Sequence, residues 1–187
     1  MVERFQRAVE EQKDMVYSFA YYYLGSREDA EDVTQEVLMK LWQHFRELDF
    51  DAIPRWLNRV TRNASYDRLR RFRVQRRFIA ADTTGEGETR AADRTPCPEP
   101  DPQETVERKD FRHHLQGALA ELAEPYRSVL LLREVRDLKY REIAEALELP
   151  INTVKTHVHR GRKVLRERLR ERLGESAYGQ EKHVCVR

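Results

Sequence analysis

No stretch of this chain approaches the ~20 consecutive apolar residues that cross a bilayer, so no membrane-spanning helix is expected. The first residues, MVERFQRAVEEQKD, mix both charge signs without a long apolar run, which speaks against a secretory or transit peptide and for the cytoplasm. Cysteine is scarce. The 187 residues hold two, Cys97 in a Pro-rich segment and Cys185 near the end, which make no disulfide framework. His183 and Cys185 could join His113 or His114 around zinc, but no paired-ligand motif supports them and a structural site needs four placed ligands. No metal and no cofactor are expected. Aromatic residues make up 9% and hydrophobic residues 40%, which suits small helical domains with thin cores. Net charge is only +2 although 36% of residues are charged, so the distribution of charge matters more than its sum. The acids Asp29, Glu31, Asp32 and Glu36 lack a Gly-rich phosphate loop, a histidine partner and an apolar cleft pattern, so an enzyme is not expected.

What the chain does have is concentrated in residues 138–170, LKYREIAEALELPINTVKTHVHRGRKVLRERLR. Ile143, Ala144 and Leu147 form a narrow apolar stripe on one short helix. Glu148, Leu149 and Pro150 break the pattern, and proline is tolerated at the start of a new helix. From there Val154, Val158, Gly161 and Leu165 fall within a sector of roughly 60° at 100° per residue. Opposite them lie Asn152, Thr156, His159, Arg160 and Lys163, with Lys155 and Arg162 on the flank. That face carries no carboxylate. Its amide, hydroxyl, imidazole and cationic groups are the set that bonds base edges and phosphates in a major groove. A short turn before a second helix that is basic outside and apolar inside is the helix-turn-helix geometry for reading duplex DNA.

The first half is helical too. Residues 5–24 place apolar side chains mostly at three- and four-residue spacing, and Gly25 is a natural helix stop. Ser26 followed by Arg27, Glu28 and Asp29 is a capped helix start. In residues 30–48, Val33, Val37, Leu38, Leu41, Phe45 and Leu48 fill one side. Asp32, Gln35, Glu36, Met39 and Gln43 fill the other, with Trp42 at its edge, a face suited to a protein partner. After a loop (ELDFDAIP, residues 47–54), Trp56, Leu57, Val60 and Ala64 form a buried stripe. Arg55, Arg59, Arg62, Tyr66, Arg70 and Arg73 run along the outside, and only Asp67 offsets them. Arginines interleaved with aromatic rings beside a loop fit unpaired or distorted nucleic acid, where cations hold phosphates and rings stack on bases.

Residues 80–104, AADTTGEGETRAADRTPCPEPDPQE, have no hydrophobic period and an excess of acids, and read as a disordered acidic linker. About 25 residues can extend to roughly 85 Å, enough to let two domains grip separated DNA elements. Relaxed, they allow the domains to fold back on each other, with the linker acids near the arginine row. Beyond it Phe111, Leu115, Leu119 and Leu122 make one helix, and Pro125 opens another over residues 126–134 that packs Val129, Leu130 and Leu132. After Leu173 and Gly174 the tail has no period. The expected architecture is all-α: a helical domain over 1–78, a linker over 79–104, a helix-turn-helix domain over 105–174 and a flexible tail over 175–187.

Four segments in this order resemble bacterial RNA polymerase sigma factors of the sigma-70 family, extracytoplasmic-function (ECF) group. They are SREDAEDVTQEVLMKLW (26–42), PRWLNRVTRNASYDRLRRFR (54–73), EPYRSVLLLREVRDLKYREIAEAL (124–147) and NTVKTHVHRGRKVLRERL (152–169). The resemblance implies a transcription initiation factor that brings core RNA polymerase to promoters. It implies that Asp32, Gln35, Glu36 and Met39 dock on the polymerase clamp, and that residues 126–133 help bind the flap. It implies a loop over residues 50–56, with Phe50, Asp51, Ala52 and Trp56, that captures a base of the melted −10 element. Arg59, Arg62, Asn63 and Arg70 would hold the flanking strand. Asn152, Thr153, Lys155, Thr156, His159, Arg160 and Lys163 would read or grip the −35 element. An anti-sigma factor is implied as a regulatory partner, with the tail as an alternative regulatory element. Relatives often have Gly where Glu148 stands, Ser at Pro150 and Lys139, and Arg at His157. Each lost cap or glycine costs about 1 kcal/mol. The runner-up, a helix-turn-helix effector domain of a response regulator, needs a strand-containing domain before it, and residues 5–77 show no strand alternation.

Overall fold

The computed structural model describes residues 1–82 and 106–178, and every regular element among them is helical. The first half is three mutually packed helices, α1 (Val2–Leu24), α2 (Arg27–His44) and α3 (Ile53–Asp82). Gly25 closes α1 at φ 71°, with its N–H bonded to Tyr21 O at 2.8 Å. Only glycine takes that left-handed conformation without a Cβ clash. Ser26 then caps α2, its Oγ accepting from Asp29 N at 3.3 Å. Val16, Phe19, Leu24, Val33, Val37, Leu41 and Leu57 are all within 1% of full burial. Each such side chain contributes about 1.5–3 kcal/mol. Arg68 fastens α3 to the start of α2, donating to Asp29 Oδ1 at 2.8 and 3.0 Å and to Asp32 Oδ2 at 2.8 Å. A single 3-10 turn, Phe50–Ala52, leads the chain into α3.

The second half is α4 (Val106–Glu121), α5 (Tyr126–Glu134), α6 (Tyr140–Leu147) and α7 (Ile151–Tyr178). Helix α5 is central, with residues 127–132 all buried. It packs on α7, α6 and, from the first half, α1. Gly161 allows α7 to approach it: a Cβ there would stand 3.0 Å from Leu130 Cδ1 and 3.4 Å from Tyr126 Cβ. The expected stripe on α6 is shifted, since Ile143 and Ala146 are buried while Ala144 and Leu147 are partly exposed. The α6–α7 turn passes through Glu148 at φ 54°, the left-handed conformation expected there, and Leu149 N bonds Ala144 O at 2.9 Å. The missing hydroxyl at Lys139 is half compensated, because Glu142 Oε2 reaches back to accept from Lys139 N at 2.6 Å.

Two helices run further than their patterns suggest. Helix α3 continues past residue 78 to Asp82, and α7 passes through Gly174 to Tyr178. One glycine costs a helix interior about 1 kcal/mol relative to alanine, too little to terminate a helix already propagating. The rest of the expected linker, with Cys97, and the tail from residue 179, with His183 and Cys185, lie outside the described residues.

The two halves touch through α1 with α4 and α5, and through α3 with α6. The centre of this junction is polar. Arg127, 1% exposed, sends Nη1 to Tyr23 O at 3.2 Å, at the carbonyl end of α1, and Nη2 to Leu122 O at 3.1 Å and to Ala120 O. A helix C-terminus favours a cation through its unpaired carbonyls. The guanidinium also lies 5.4 Å over the Tyr23 ring, whose hydroxyl donates to Glu124. Arg136, 6% exposed, donates from Nε to Asn58 Oδ1 at 2.6 Å and from Nη2 to Gln12 at 3.4 Å. Burial lowers the Arg136 guanidinium to about 10, still protonated at neutral pH.

Candidate nucleic-acid and polymerase interfaces

The outer face of α7 follows from its inner one. Val154, Val158 and Gly161 are buried against α5 and α6, so residues half a turn away must face solvent. Asn152, Lys155, Thr156, His159, Arg160 and Lys163 are all exposed, and Thr153 is partly so. Among the described residues, Lys155, Arg160 and Lys163 have no carboxylate within ion-pair distance, and Thr156 Oγ1 donates to Asn152 O at 2.9 Å. The flanking Arg162 is held by Glu134, at 2.6 and 2.9 Å. His157, which stands where relatives often have Arg, turns inward. Its ring meets Tyr126 edge-on at 5.3 Å and its Nδ1 is buried without a partner.

The α3 face is built differently. Arg59 and Arg70 are exposed and Arg62 partly so, on the side away from Leu57 and Ala64. Trp56, placed in the buried stripe and in the capture loop, is half-buried with its ring 5.7 Å from His44. Phe50 is half-buried between two cations, Arg4 at 5.7 Å and Arg7 at 5.5 Å from the ring centre, while Asp51 is exposed and Ala52 partly exposed. Arg62 stands 5.2 Å over the Tyr66 ring and donates to Asn63 Oδ1 at 3.0 Å. Cations and aromatic rings thus pair repeatedly around the start of α3, the kind of groups that hold phosphates and stack on bases.

On α2, Asp32, Gln35, Glu36 and Met39 are exposed together, Met39 at 64% and the neighbouring Trp42 at 46%. Glu36 is paired with Lys40 at 2.6 Å and Asp32 with Arg68. His113 and His114 sit ring to ring at 6.0 Å on α4. No group of three or more metal-ligating side chains occurs among the described residues, and no helix among them is long and apolar enough to cross a membrane.

Two family models match the chain, Sigma-70 region 2 over residues 8–76 and Sigma-70 region 4 over residues 112–165. The chain belongs to the extracytoplasmic-function group of the sigma-70 family. It is 31% identical over 170 residues to the ECF RNA polymerase sigma factor SigE of Mycolicibacterium smegmatis, covering 90% of this chain and 63% of that relative. Against the ECF RNA polymerase sigma factor SigW of Bacillus subtilis it is 29% identical over 170 residues, covering 90% of each. The fold is also that of the sigma factor RpoE in complex with the anti-sigma factor NepR from Bartonella quintana. That likeness has a TM-score of 0.68 at 23% identity, over 89% of this chain and 96% of that one. A similar likeness holds to CnrH in complex with the cytosolic domain of CnrY, with a TM-score of 0.59 at 18% identity over 86% and 84%.

As a sigma factor the chain is a non-catalytic transcription initiation factor, and the response-regulator alternative falls with the helical, region 2-type first half. The region 2 match takes in α2 and most of α3, and the region 4 match takes in α5, α6 and the first half of α7. Sequence reasoning missed Asn58, Arg68, Arg127 and Arg136, which join helices rather than line a face. A signal for one of them, Asn58, was present. Asn58, Thr61 and Ser65 are 5%, 3% and 0% exposed at helical spacing, a small polar stripe beside the arginine row.

Proposed function

We propose that this sigma factor reads the −35 element with Asn152, Thr153, Lys155, Thr156, His159, Arg160 and Lys163, with α7 in the major groove. Phe50, Asp51, Ala52 and Trp56 take a base from the melted −10 element, and Arg59, Arg62, Asn63 and Arg70 hold the strand beside it. Asp32, Gln35, Glu36 and Met39 dock on the polymerase clamp, and α5 contributes to the flap contact. The functional units are residues 1–78 and 105–174, joined by 79–104 and followed by a tail over 175–187. The observation that carries this proposal is the outer face of α7, where Lys155, Arg160 and Lys163 are exposed and, among the described residues, free of carboxylate partners beside an uncharged Thr and Asn. Phosphate contacts position such a helix and the amide and hydroxyl groups read bases.

An anti-sigma factor is proposed as a second protein partner, because a solved neighbour with the same fold is held by one. The site of action is the cytoplasm, where promoter DNA and polymerase are found. The test is co-purification with core polymerase followed by promoter-dependent transcription in vitro. Reversing Asp32 and Glu36 to Lys should abolish polymerase binding while duplex DNA still binds through α7. A Met39→Ala variant, which leaves the Arg68 pair intact, should weaken the same step. Polymerase assembly that survives both sets of changes would show that the α2 face is only solvated.

A further inference from the structure

Late in α7 one tetrapeptide occurs twice, RERLRERL over residues 166–173, so that arginine falls at every second position up to Arg172. The fold sorts these arginines by face. Arg168 and Arg172 turn towards α4, where both pair with Glu121, and Arg168 Nε is 3.4 Å from Glu121 Oε2. Gly117 leaves room for this, since a Cβ there would stand 2.5 Å from Arg172 Nη1. Leu169, between the two in sequence, is buried. Arg166 is left on the other side, exposed and, among the described residues, without a carboxylate in ion-pair distance. At 100° per residue it falls between Lys155 and His159, and Arg170 falls between His159 and Lys163, all within a sector of about 80°. Glu167 borders that sector, but no carboxylate enters it between residues 152 and 170. The outer face of α7 therefore continues past its first turns.

We infer that Arg166 is a phosphate contact of the promoter duplex, made outside the groove that the first turns of α7 read. The reason is length. Helix α7 rises about 1.5 Å per residue, so Arg166 stands about 21 Å along the axis from Asn152, while the major groove is about 12 Å wide. A straight helix seated by its first turns in a groove that winds away must leave it before residue 166. What it meets there is the sugar–phosphate wall. An exposed guanidinium on the DNA-facing sector suits that wall, because its N–H fork binds phosphate oxygens in pairs. Glu121 is a positioning residue: by taking Arg168 and Arg172 it fastens these last turns to α4 and holds Arg166 beside the groove. Arg166 lies one residue past the stretch matched by the region 4 model. Such a contact adds affinity and register but no base preference. This rests on α7 as the duplex-reading helix and lengthens its footprint by one backbone contact.

The test is fluorescence anisotropy of the full-length chain on two fluorescein-labelled duplexes of unrelated mixed sequence. Each is about three helical turns long, and salt is varied from about 50 to about 200 mM. Arg166 is exposed, and alanine is a strong helix former, so Arg166→Ala leaves the fold intact. Removing one phosphate contact lowers the slope of log affinity against log salt by about 0.9. Arg166→Ala should therefore bind both duplexes more weakly, and the advantage of wild type should shrink about 3.5-fold over that salt range. Arg166→Lys, which keeps the charge, should recover most of the slope. Arg168→Ala removes the same charge two positions away on the α4 side, and should lower the slope much less. Equal changes in Arg166→Ala and Arg168→Ala, or none in Arg166→Ala, would overturn the inference. A loss confined to one duplex would overturn it too, since the phosphates of both are alike. Lys163→Ala separates this contact from the reading it rests on. If Lys163→Ala also binds both duplexes as wild type does, α7 is not the duplex helix and the proposed site itself fails.

Discussion

The two basic faces of this sigma factor differ in what they meet. Lys155, Arg160 and Lys163 on α7 face solvent without a carboxylate partner among the described residues, whereas Arg55, Arg59 and Arg62 on α3 each face an acid from the other half. Both faces have the same local cause, a helix with one apolar stripe and cations opposite. What separates them is position: α7 presents its cations away from the junction, and α3 presents its first turns towards α6. How exposed a basic face is left is therefore decided by whatever packs beside it.

The contrast breaks most severely at Arg127. Replacing it with Met leaves the carbonyls of Tyr23, Ala120 and Leu122 without their buried donor, at a cost of about 3 kcal/mol. Calorimetry should then record a loss of roughly 6–12 °C in Tm. The faces themselves are compared by two alanine changes. Lys163→Ala should weaken duplex binding in the wild-type chain and lower its salt slope by about one unit. Arg59→Ala should weaken binding of a single-stranded oligonucleotide and leave duplex binding through α7 unchanged. Titration of both oligonucleotides across a salt series checks the pair.

Smaller effects test the edge of the junction. Removing the charges of Glu145 and Glu148 should cost about 1 kcal/mol at low ionic strength and almost nothing at physiological salt, measured by urea unfolding. A change of similar size that salt does not screen belongs to Tyr23→Phe, which removes one hydrogen bond to Glu124 worth about 1 kcal/mol. Burial first, and then the Glu124 carboxylate, raises the Tyr23 phenol well above its ordinary value. A group raised in the fold contributes stability below its ordinary pKa of about 10 and loses it as pH climbs beyond. The difference in stability between wild type and Tyr23→Phe should therefore be constant through neutral pH and shrink above about 10.

Much of the local structure could be read from single segments. Helix α5 spans residues 126–134 and α6 spans 140–147, as Pro125 and the break at Glu148 indicated. Caps, turns and periodicity act within a few residues, so their signals lie side by side in the chain. The exposure of Asp32, Gln35, Glu36 and Met39, and of the α7 face, followed from the same arithmetic. The inward turn of His157 did not, because it depends on the Tyr126 ring of α5, which it meets edge-on. The expectation that linker acids lie over the arginine row concerns residues outside those described. The carboxylates that do meet the row, Glu124, Glu145 and Glu148, belong to the second half.

Sequence alone determined that this chain is helical, that α3 and α7 each carry cations opposite an apolar stripe, and that it is a sigma factor. Those properties are periodic or contiguous, and a pattern of a few turns records them. Tertiary structure alone decided that Arg127 and Arg136 are buried and that Arg55, Arg59 and Arg62 of α3 meet acids of the other half, while among the described residues Lys155, Arg160 and Lys163 of α7 meet none. Arg136 and Asn58 are 78 positions apart, and Arg127 and Tyr23 are 104 apart. A guanidinium in isolation reads as a solvated charge; only the packing of the second half against α1 and α3 removes its water and supplies the carbonyls and amides that replace it.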